Sequence, residues 1–186
     1  MNRDLARSER CFNLPRSVGC GTRKSVDGRS ALGRFRREMK TLSTKRLRPG
    51  DRAIAAKLFA LMSEVFDEQS PAPLSDAYLD GLMTRPEFWA IAAFVQEEIV
   101  GGITAHVLPM TRGETSELFI YDLAVKASHQ RQGIGRALVA ALRSGGAAAG
   151  IDDVFVPADD EDTHALDFYR AIGGAAQPVT VFNFSS

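Results

Sequence analysis

At 186 residues, 45% apolar and 25% charged, the chain is long enough for one good core and too short for two ordinary domains. Its formal net charge of zero conceals an asymmetry: residues 1–46 carry 13 Lys/Arg against 4 Asp/Glu, and the other 140 carry 10 against 19. No apolar run approaches the roughly eighteen residues a membrane helix needs, and no continuous apolar stretch follows the N-terminal arginines as a secretory signal would require.

A cytoplasmic protein with no membrane partner is therefore the expectation. Cys11 and Cys20 are the only cysteines, and neither has a nearby His or further Cys to complete a metal set, so no metal is expected. Residues 1–44, rich in Arg, Ser and Gly, read as a basic, flexible extension, with a short helix at Arg36 to Lys40. Such an arm can tether a protein to nucleic acid or an anionic surface. The simpler reading is an upstream extension without a chemical role, and no nucleic-acid partner is expected.

The compact domain is expected from residue 45 to 186. It opens with a brief strand, Lys45 to Arg48, stopped by Pro49-Gly50. Asp51 is placed to cap a helix to about Phe66, with Ile54, Leu58, Leu61, Met62 and Val65 on one face. Pro71 and Pro73 enforce a loop, and Ser75 caps a second helix through about Met83. Phe88 to Val95 is a strongly apolar strand, and a turn at Gln96-Glu97-Glu98 returns it as a second strand to Leu108. Glu117 to Val125 forms the next strand. A long helix runs from about Gly133 to Ala149, stopped by Gly150. A strand at Ile151 to Val156, a helix from about Thr163 to Ile172 and a last strand at Val179 to Phe184 complete the domain. Hairpin-paired strands followed by strands alternating with helices make an α/β fold with a mixed, mostly antiparallel central sheet flanked by helices.

The most informative stretch is Tyr121 to Ala137, YDLAVKASHQRQGIGRA. An apolar strand runs into a polar turn, and a helix opens at Gly133-Ile134-Gly135. Glycines there let the backbone approach a ligand, and the first turn of a helix offers unpaired N–H groups to a pyrophosphate. As bare glycines between a strand and a helix, the segment is also compatible with an ordinary tight connection. A dinucleotide fingerprint needs a third glycine, and a P-loop needs Lys-Ser/Thr where Arg136-Ala137 stand, so both fail.

What remains is Q-x-x-G-x-G after an L-A-V strand end, which resembles the acyl-CoA pyrophosphate loop of the GNAT N-acetyltransferase superfamily. Downstream, Ala165 to Gly173 (ALDFYRAIG) is similar to that superfamily's second signature, A-x-x-F-Y-x-x-x-G, departing from it at Gly174, where an aromatic residue is common. The resemblance covers roughly residues 45 to 184. It implies acetyl-CoA as co-substrate, held by Leu123, Ala124, Val125, Gln130, Arg131, Gln132, Gly133, Ile134, Gly135 and Arg136. It also implies Tyr169 beside the coenzyme A sulfur, and it is compatible with a homodimer.

An acyl-CoA donor requires an unprotonated amine as acceptor, which a carboxylate can hold and help deprotonate. Asp122 sits deep in an apolar strand, where an unpaired carboxylate is costly and a substrate ammonium would offset the cost. A cap or a structural ion pair would do so too. If strict alternation holds, Asp122 faces away from Tyr121 and Leu123. Glu117 is the second candidate, equally readable as an exposed charge. On the resemblance, a strand N–H near Val125 stabilises the charge gathering on the thioester oxygen, and Tyr169 protonates the departing thiolate. Without the loop, Tyr169 reads as a packed aromatic. His106 and Trp89 read as structural, His129 as a neighbour of the phosphate loop, and His164 as a surface residue.

Asp159-Asp160-Glu161-Asp162 is either a solvated turn, part of which caps the following helix, or an acidic surface that attracts a polycation, as the domain's net charge favours. The segment from Phe88 to Phe94, Ile120 to Val125 and the Ala158 to Asp160 run resemble the aminoglycoside 3-N-acetyltransferases. That resemblance implies acetylation of the 3-amino group of an aminoglycoside, with Asp122 and Tyr121 at the reacting amine and Asp159, Asp160 and Glu161 at others. A polyamine or protein amine as acceptor, or a non-catalytic acyl-CoA sensor, are the competing expectations. No cysteine lies in the matched segment, which favours direct transfer.

Overall fold

The computed structural model describes residues 41–67 and 72–184. The basic arm through residue 40, its short helix, both cysteines and Pro71 lie outside the described residues.

Apolar character at both helical and strand period is resolved into one sheet with helices on both faces. In chain order the elements are β1 (Leu42–Arg46), α1 (Arg52–Val65), α2 (Asp76–Met83), β2 (Phe88–Val95), β3 (Glu98–Pro109), β4 (Ser116–Val125), α3 (Ile134–Ala148), β5 (Asp153–Phe155) and α4 (Thr163–Ala171). The strands lie in the order β1-β2-β3-β4-β5, with β1 to β4 antiparallel and β5 parallel to β4. This is the expected mixed, mostly antiparallel sheet.

Side-chain alternation divides the core in two. One face of the strands (Trp89, Ile91, Ile103, Leu118, Ile120, Leu123) packs with Ile134, Leu138 and Leu142 of α3 and with Phe168 and Tyr169 of α4. The other (Ala90, Ala92, Ala124) packs with Leu58, Leu61 and Met62 of α1 and Leu79 of α2. Gly102 on β3 makes this second layer possible. A Cβ there would stand 2.3 Å from Leu58 Cδ1, so glycine lets α1 settle on the strands and bury Leu58 fully. Burying such a leucine contributes about 1.5–3 kcal/mol.

Several expectations need correction. β1 begins at Leu42 rather than Lys45, because it pairs along β2 from Leu42↔Val95 to Arg46↔Ile91. Its polar Ser43 and Thr44 gave no apolar signal of that length. Asp51 stands at the N-cap of α1, but its side chain does not cap. It turns back to accept from Lys45 Nζ at 2.6 Å and from the Arg48 N–H at 3.0 Å, and these contacts hold its carboxyl below the usual range. Ser75 does cap α2, accepting from the Tyr78 N–H at 3.2 Å. β5 is only three residues long, because Ile151 is drawn into closing α3 through its N–H to the Gly146 carbonyl.

The last expected strand is absent. Residues 174–184 form no regular structure, and Val179, Val181, Phe182 and Phe184 are exposed. Alternating apolar residues make a strand only where an edge receives them, and no strand of the described residues pairs with this segment.

Trp89 is core, as expected, and donates from Nε1 to the Pro86 carbonyl at 3.1 Å. The Arg46 guanidinium lies 3.4 Å over its ring. Burial, then the neighbouring Arg48, pulls Arg46 down to about 10, so it remains charged at neutral pH and the cation–π contact stands.

Candidate active site

The site is built around an irregularity in β4. Thr104 pairs with Asp122 and Ala105 with Ile120, so Tyr121 is an extra residue opposite the β3 partner strand. A bulge of this kind resets alternation. Before it, Leu118 and Ile120 face α3; after it, Leu123 and Val125 do. Asp122 therefore faces the α1 side. Tyr121 does not point the opposite way, as strict alternation required. Its ring packs edge-to-face on His106 and Phe119 of that same side.

Thr104, 3% exposed, is the buried polar residue of the described core. Its hydroxyl donates to Asp122 Oδ2 at 2.9 Å and accepts the Asp122 N–H at 3.2 Å. One side chain thus closes the bulge and aims the half-buried carboxylate. Thr104 was missed in the sequence; the available signal was a single hydroxyl between the buried apolar residues Ile103 and Ala105.

Beyond the bulge, β4 and β5 part. They pair only from Glu117↔Asp153 to Phe119↔Phe155, while β4 continues to Val125. The Asp122 and Lys126 N–H groups bond toward β3, the latter to the Val100 carbonyl at 2.9 Å. By alternation the main-chain groups of Leu123 and Val125 point into the gap. Their side chains and that of Ala124 are buried, so what these residues present to the gap is backbone.

The connection to α3 is braced internally. Gln130 Nε2 donates to the Val125 carbonyl at 3.1 Å, and Gln132 Nε2 to the Ser128 carbonyl at 3.2 Å. His129 Nδ1 lies 2.9 Å from Ser128 Oγ. Arg131 (φ 61°) and Gly133 (φ 83°) are left-handed, which swings the chain into the helix. No side chain caps α3, so its first N–H groups face outward. The two glycines differ in purpose. A Cβ on Gly133 would meet open space, so its requirement is conformational; one on Gly135 would stand 3.1 Å from the Phe168 ring, so its requirement is helix packing. Arg136 reaches across to donate to the Ala171 carbonyl at 3.2 Å.

That packing positions Tyr169. α4 is capped by Asp162, which accepts from the Ala165 N–H at 2.9 Å, and Gly173 (φ 98°) ends it. Phe168 lies against Gly135 and 5.0 Å from the Tyr169 ring, and the Tyr169 hydroxyl oxygen is buried. The acidic run is divided in use: Asp162 caps α4, Asp159 Oδ1 accepts the Glu161 N–H at 2.9 Å, and Asp160 and Glu161 are exposed. Glu117 is half-buried near the start of β4, five positions before Asp122. His164 is exposed.

The gap and loop fit an acyl-CoA: an open strand edge for amide groups, an uncapped helix for phosphate, and a buried Gln130 Oε1 that lacks a hydrogen-bond partner among the described residues. The sequence model of the Acetyltransferase (GNAT) family matches residues 55–173. The chain belongs to that family.

This GNAT enzyme is an acetyl-CoA-dependent N-acetyltransferase. It is similar to the aminoglycoside acetyltransferase meta-AAC0020 from an uncultured soil metagenomic sample, solved in complexes with trehalose and with sisomicin. Identity is 34%, coverage 78% of this chain and 96% of that one, and the TM-score 0.75. It is similar also to the aminoglycoside acetyltransferase HMB0005, likewise from an uncultured soil sample, at 35% identity, coverage 78% and 99%, and TM-score 0.72. AAC(6')-Iy, solved with a CoA-linked bisubstrate analogue, shares the fold at 14% identity, coverage 78% and 99%, and TM-score 0.65. No curated protein matches the chain significantly. Among the described residues, no helix is long and apolar enough to cross a membrane, and no group of His, Cys, Asp and Glu side chains could hold a metal ion.

Proposed function

We propose that this N-acetyltransferase acetylates an amine of an aminoglycoside and so acts as an antibiotic-resistance enzyme. The observation that carries this reading is the Asp122 carboxylate, aimed by Thr104, beside the open edge of β4. The similarity at 34% identity to an acetyltransferase solved with sisomicin supports the acceptor class.

Bound acetyl-CoA supplies the activated acetyl group as a thioester. Gly133 to Arg136 receive its pyrophosphate on main-chain N–H groups, with Gln130, Arg131 and Gln132 shaping the loop. The Leu123 to Val125 edge aligns the rest, and the Val125 N–H supports negative charge on the carbonyl oxygen. Asp122 accepts a hydrogen bond from the attacking amine and draws off its proton; Glu117, five positions earlier on the same strand, serves a different ammonium. Tyr169 donates to the departing sulfur. A phenol of pKa about 10 facing a thiol of pKa about 8.5 is close enough for a hydrogen bond to help. Tyr121 borders the reacting amine, while Asp159, Asp160 and Glu161 attract further ammonium groups.

The 3-amino group is the proposed position, on the resemblance of Ile120 to Val125 and the acidic run to 3-N-acetylating enzymes. Thiol release from acetyl-CoA with sisomicin, spermidine and a lysine peptide tests the class, and NMR of the product tests the position. Turnover preferring spermidine or the peptide would overturn the aminoglycoside reading. Acetylation at another amine would overturn the position alone.

A further inference from the structure

The side of the sheet that carries Asp122 also carries an aromatic surface, of which the chemistry above uses only Tyr121. Phe88, His106, Phe119 and Phe155 are successive register partners on β2, β3, β4 and β5. Phe88 and His106 meet edge-to-face at 5.4 Å, and Phe119 and Phe155 lie tilted at 5.3 Å. Tyr121, pushed out by the bulge, bridges the centre at 5.7 Å from His106 and 5.9 Å from Phe119. The inner end is closed by Phe59 of α1, 6.3 Å from Phe88. The outer end is open: Tyr121 is 59% and Phe155 44% exposed. A contiguous apolar patch beside a reaction site marks a binding surface.

Charge selects its occupant. Asp122 follows Tyr121 at one end. At the other, Glu117 and Asp153 are register partners on β4 and β5, two residues before Phe119 and Phe155 and hence on the same face. Like charges side by side across strands are destabilising, and a cation between them relieves this. An acidic or purely apolar ligand would gain nothing from these three carboxylates. A ring with C–H faces and ammonium groups at its rim satisfies both the aromatic strip and the acids.

We propose that Tyr121, Phe119 and Phe155 form a stacking platform for an amino-sugar ring of the acceptor, with Glu117 and Asp153 receiving an ammonium distant from the reacting one. This rests on the aminoglycoside reading and extends it to the face on which the drug lies. Contacts between an ammonium-bearing ring and an aromatic face are worth enough to matter at an exposed site.

Calorimetric binding of sisomicin to the full-length protein, with turnover measured in parallel, tests it. Tyr121→Leu and Phe155→Leu keep apolar bulk and remove the π face, and each should weaken sisomicin Kd roughly threefold to tenfold. Tyr121→Phe should restore affinity to within about twofold of wild type, and CoA affinity and Tm should hold in all variants. Unchanged sisomicin affinity in both leucine variants would overturn the platform. So would an equal loss in Tyr121→Phe, a parallel loss of CoA affinity, or no sisomicin binding by wild type. Platform-dependent binding without acetyl transfer would leave the platform standing and defeat the proposed reaction; transfer with platform-independent binding would do the reverse.

Discussion

The Thr104 hydroxyl holds Asp122 at two points, donating to Oδ2 at 2.9 Å and accepting the backbone N–H at 3.2 Å. Both contacts are made from a buried position, so one oxygen atom ties the carboxylate's direction to the bulge that exposes it. Thr104→Val keeps the shape and removes that atom. It leaves the Asp122 N–H without its acceptor, which costs about 1–3 kcal/mol where a buried group loses its partner. Steady-state kinetics should show kcat for the acceptor reduced about tenfold with the KM for acetyl-CoA unchanged, and Thr104→Ser should recover most of the loss. Equal kcat in Thr104→Val and wild type would remove Thr104 from the positioning of Asp122.

Asp122→Asn tests the acid itself. The amide can still hydrogen-bond Thr104 but cannot take a proton, so the loss isolates proton removal from geometry. General-base contributions of about 10²- to 10⁴-fold set the expected fall in kcat. CoA affinity, measured by calorimetry, should be spared. Undiminished turnover would shift proton removal to bulk solvent.

How much of this was legible beforehand differs by element. The loop and the FY pair of α4 were read from local patterns, whereas the packing of Gly135 on Phe168, thirty-three residues away, was not. Asp122 was singled out as a carboxylate inside an apolar strand, but its placement relative to Tyr121 was wrong. Strict alternation placed it opposite Tyr121, whereas the bulge puts both on the α1 side. A bulge depends on the register of two strands and leaves no local mark, and Thr104, a lone hydroxyl in its segment, was passed over for the same cause: its partner is eighteen residues away. The tail shows the converse. Val179 to Phe184 has the composition of a strand, but an edge to receive it is a tertiary fact, and β5 is only three residues long.

Tyr169 lies with its hydroxyl oxygen buried, on a helix fixed by Phe168 against Gly135. Tyr169→Phe conserves the ring and its packing on Phe168 while removing the proton donor. kcat should fall about a hundredfold, at the lower end of the general-acid range, with Tm unchanged. A thioester analogue with a more acidic thiol needs less help in leaving and should narrow the difference between Tyr169→Phe and wild type. A constant ratio across leaving groups would count against the acid role.

Asp51 provides a stability prediction with a defined pH direction. The Lys45 hydrogen bond, aided by the Arg48 N–H and the Lys45 charge, lowers its pKa from 3.8. A depressed folded-state pKa means stability present above the unfolded value and lost as pH falls through the folded one. Asp51→Asn should therefore lower stability at pH 7 by about 0.5–1 kcal/mol, the scale of a surface ion pair. The difference from wild type should shrink as pH drops below about 4. A difference that stays constant from pH 7 to pH 3 would show that the carboxylate's charge is not the source.

Gly133 separates the two uses of glycine in the loop. Its φ of 83° lies in the left-handed region, while a Cβ there would meet nothing within 4 Å. Gly133→Ala should consequently cost about 1–2 kcal/mol from backbone strain alone. That strain can be relieved only by moving the loop that leads into α3. The KM for acetyl-CoA should rise as the first N–H groups of the helix turn out of line, and the drop in Tm should be modest. Gly133→Asn tolerates the left-handed conformation better and should fall between Gly133→Ala and wild type in both measurements, although it carries the larger side chain. If Asn proves worse than Ala, space rather than conformation limits this position, and the bound phosphate must then approach within side-chain distance of residue 133.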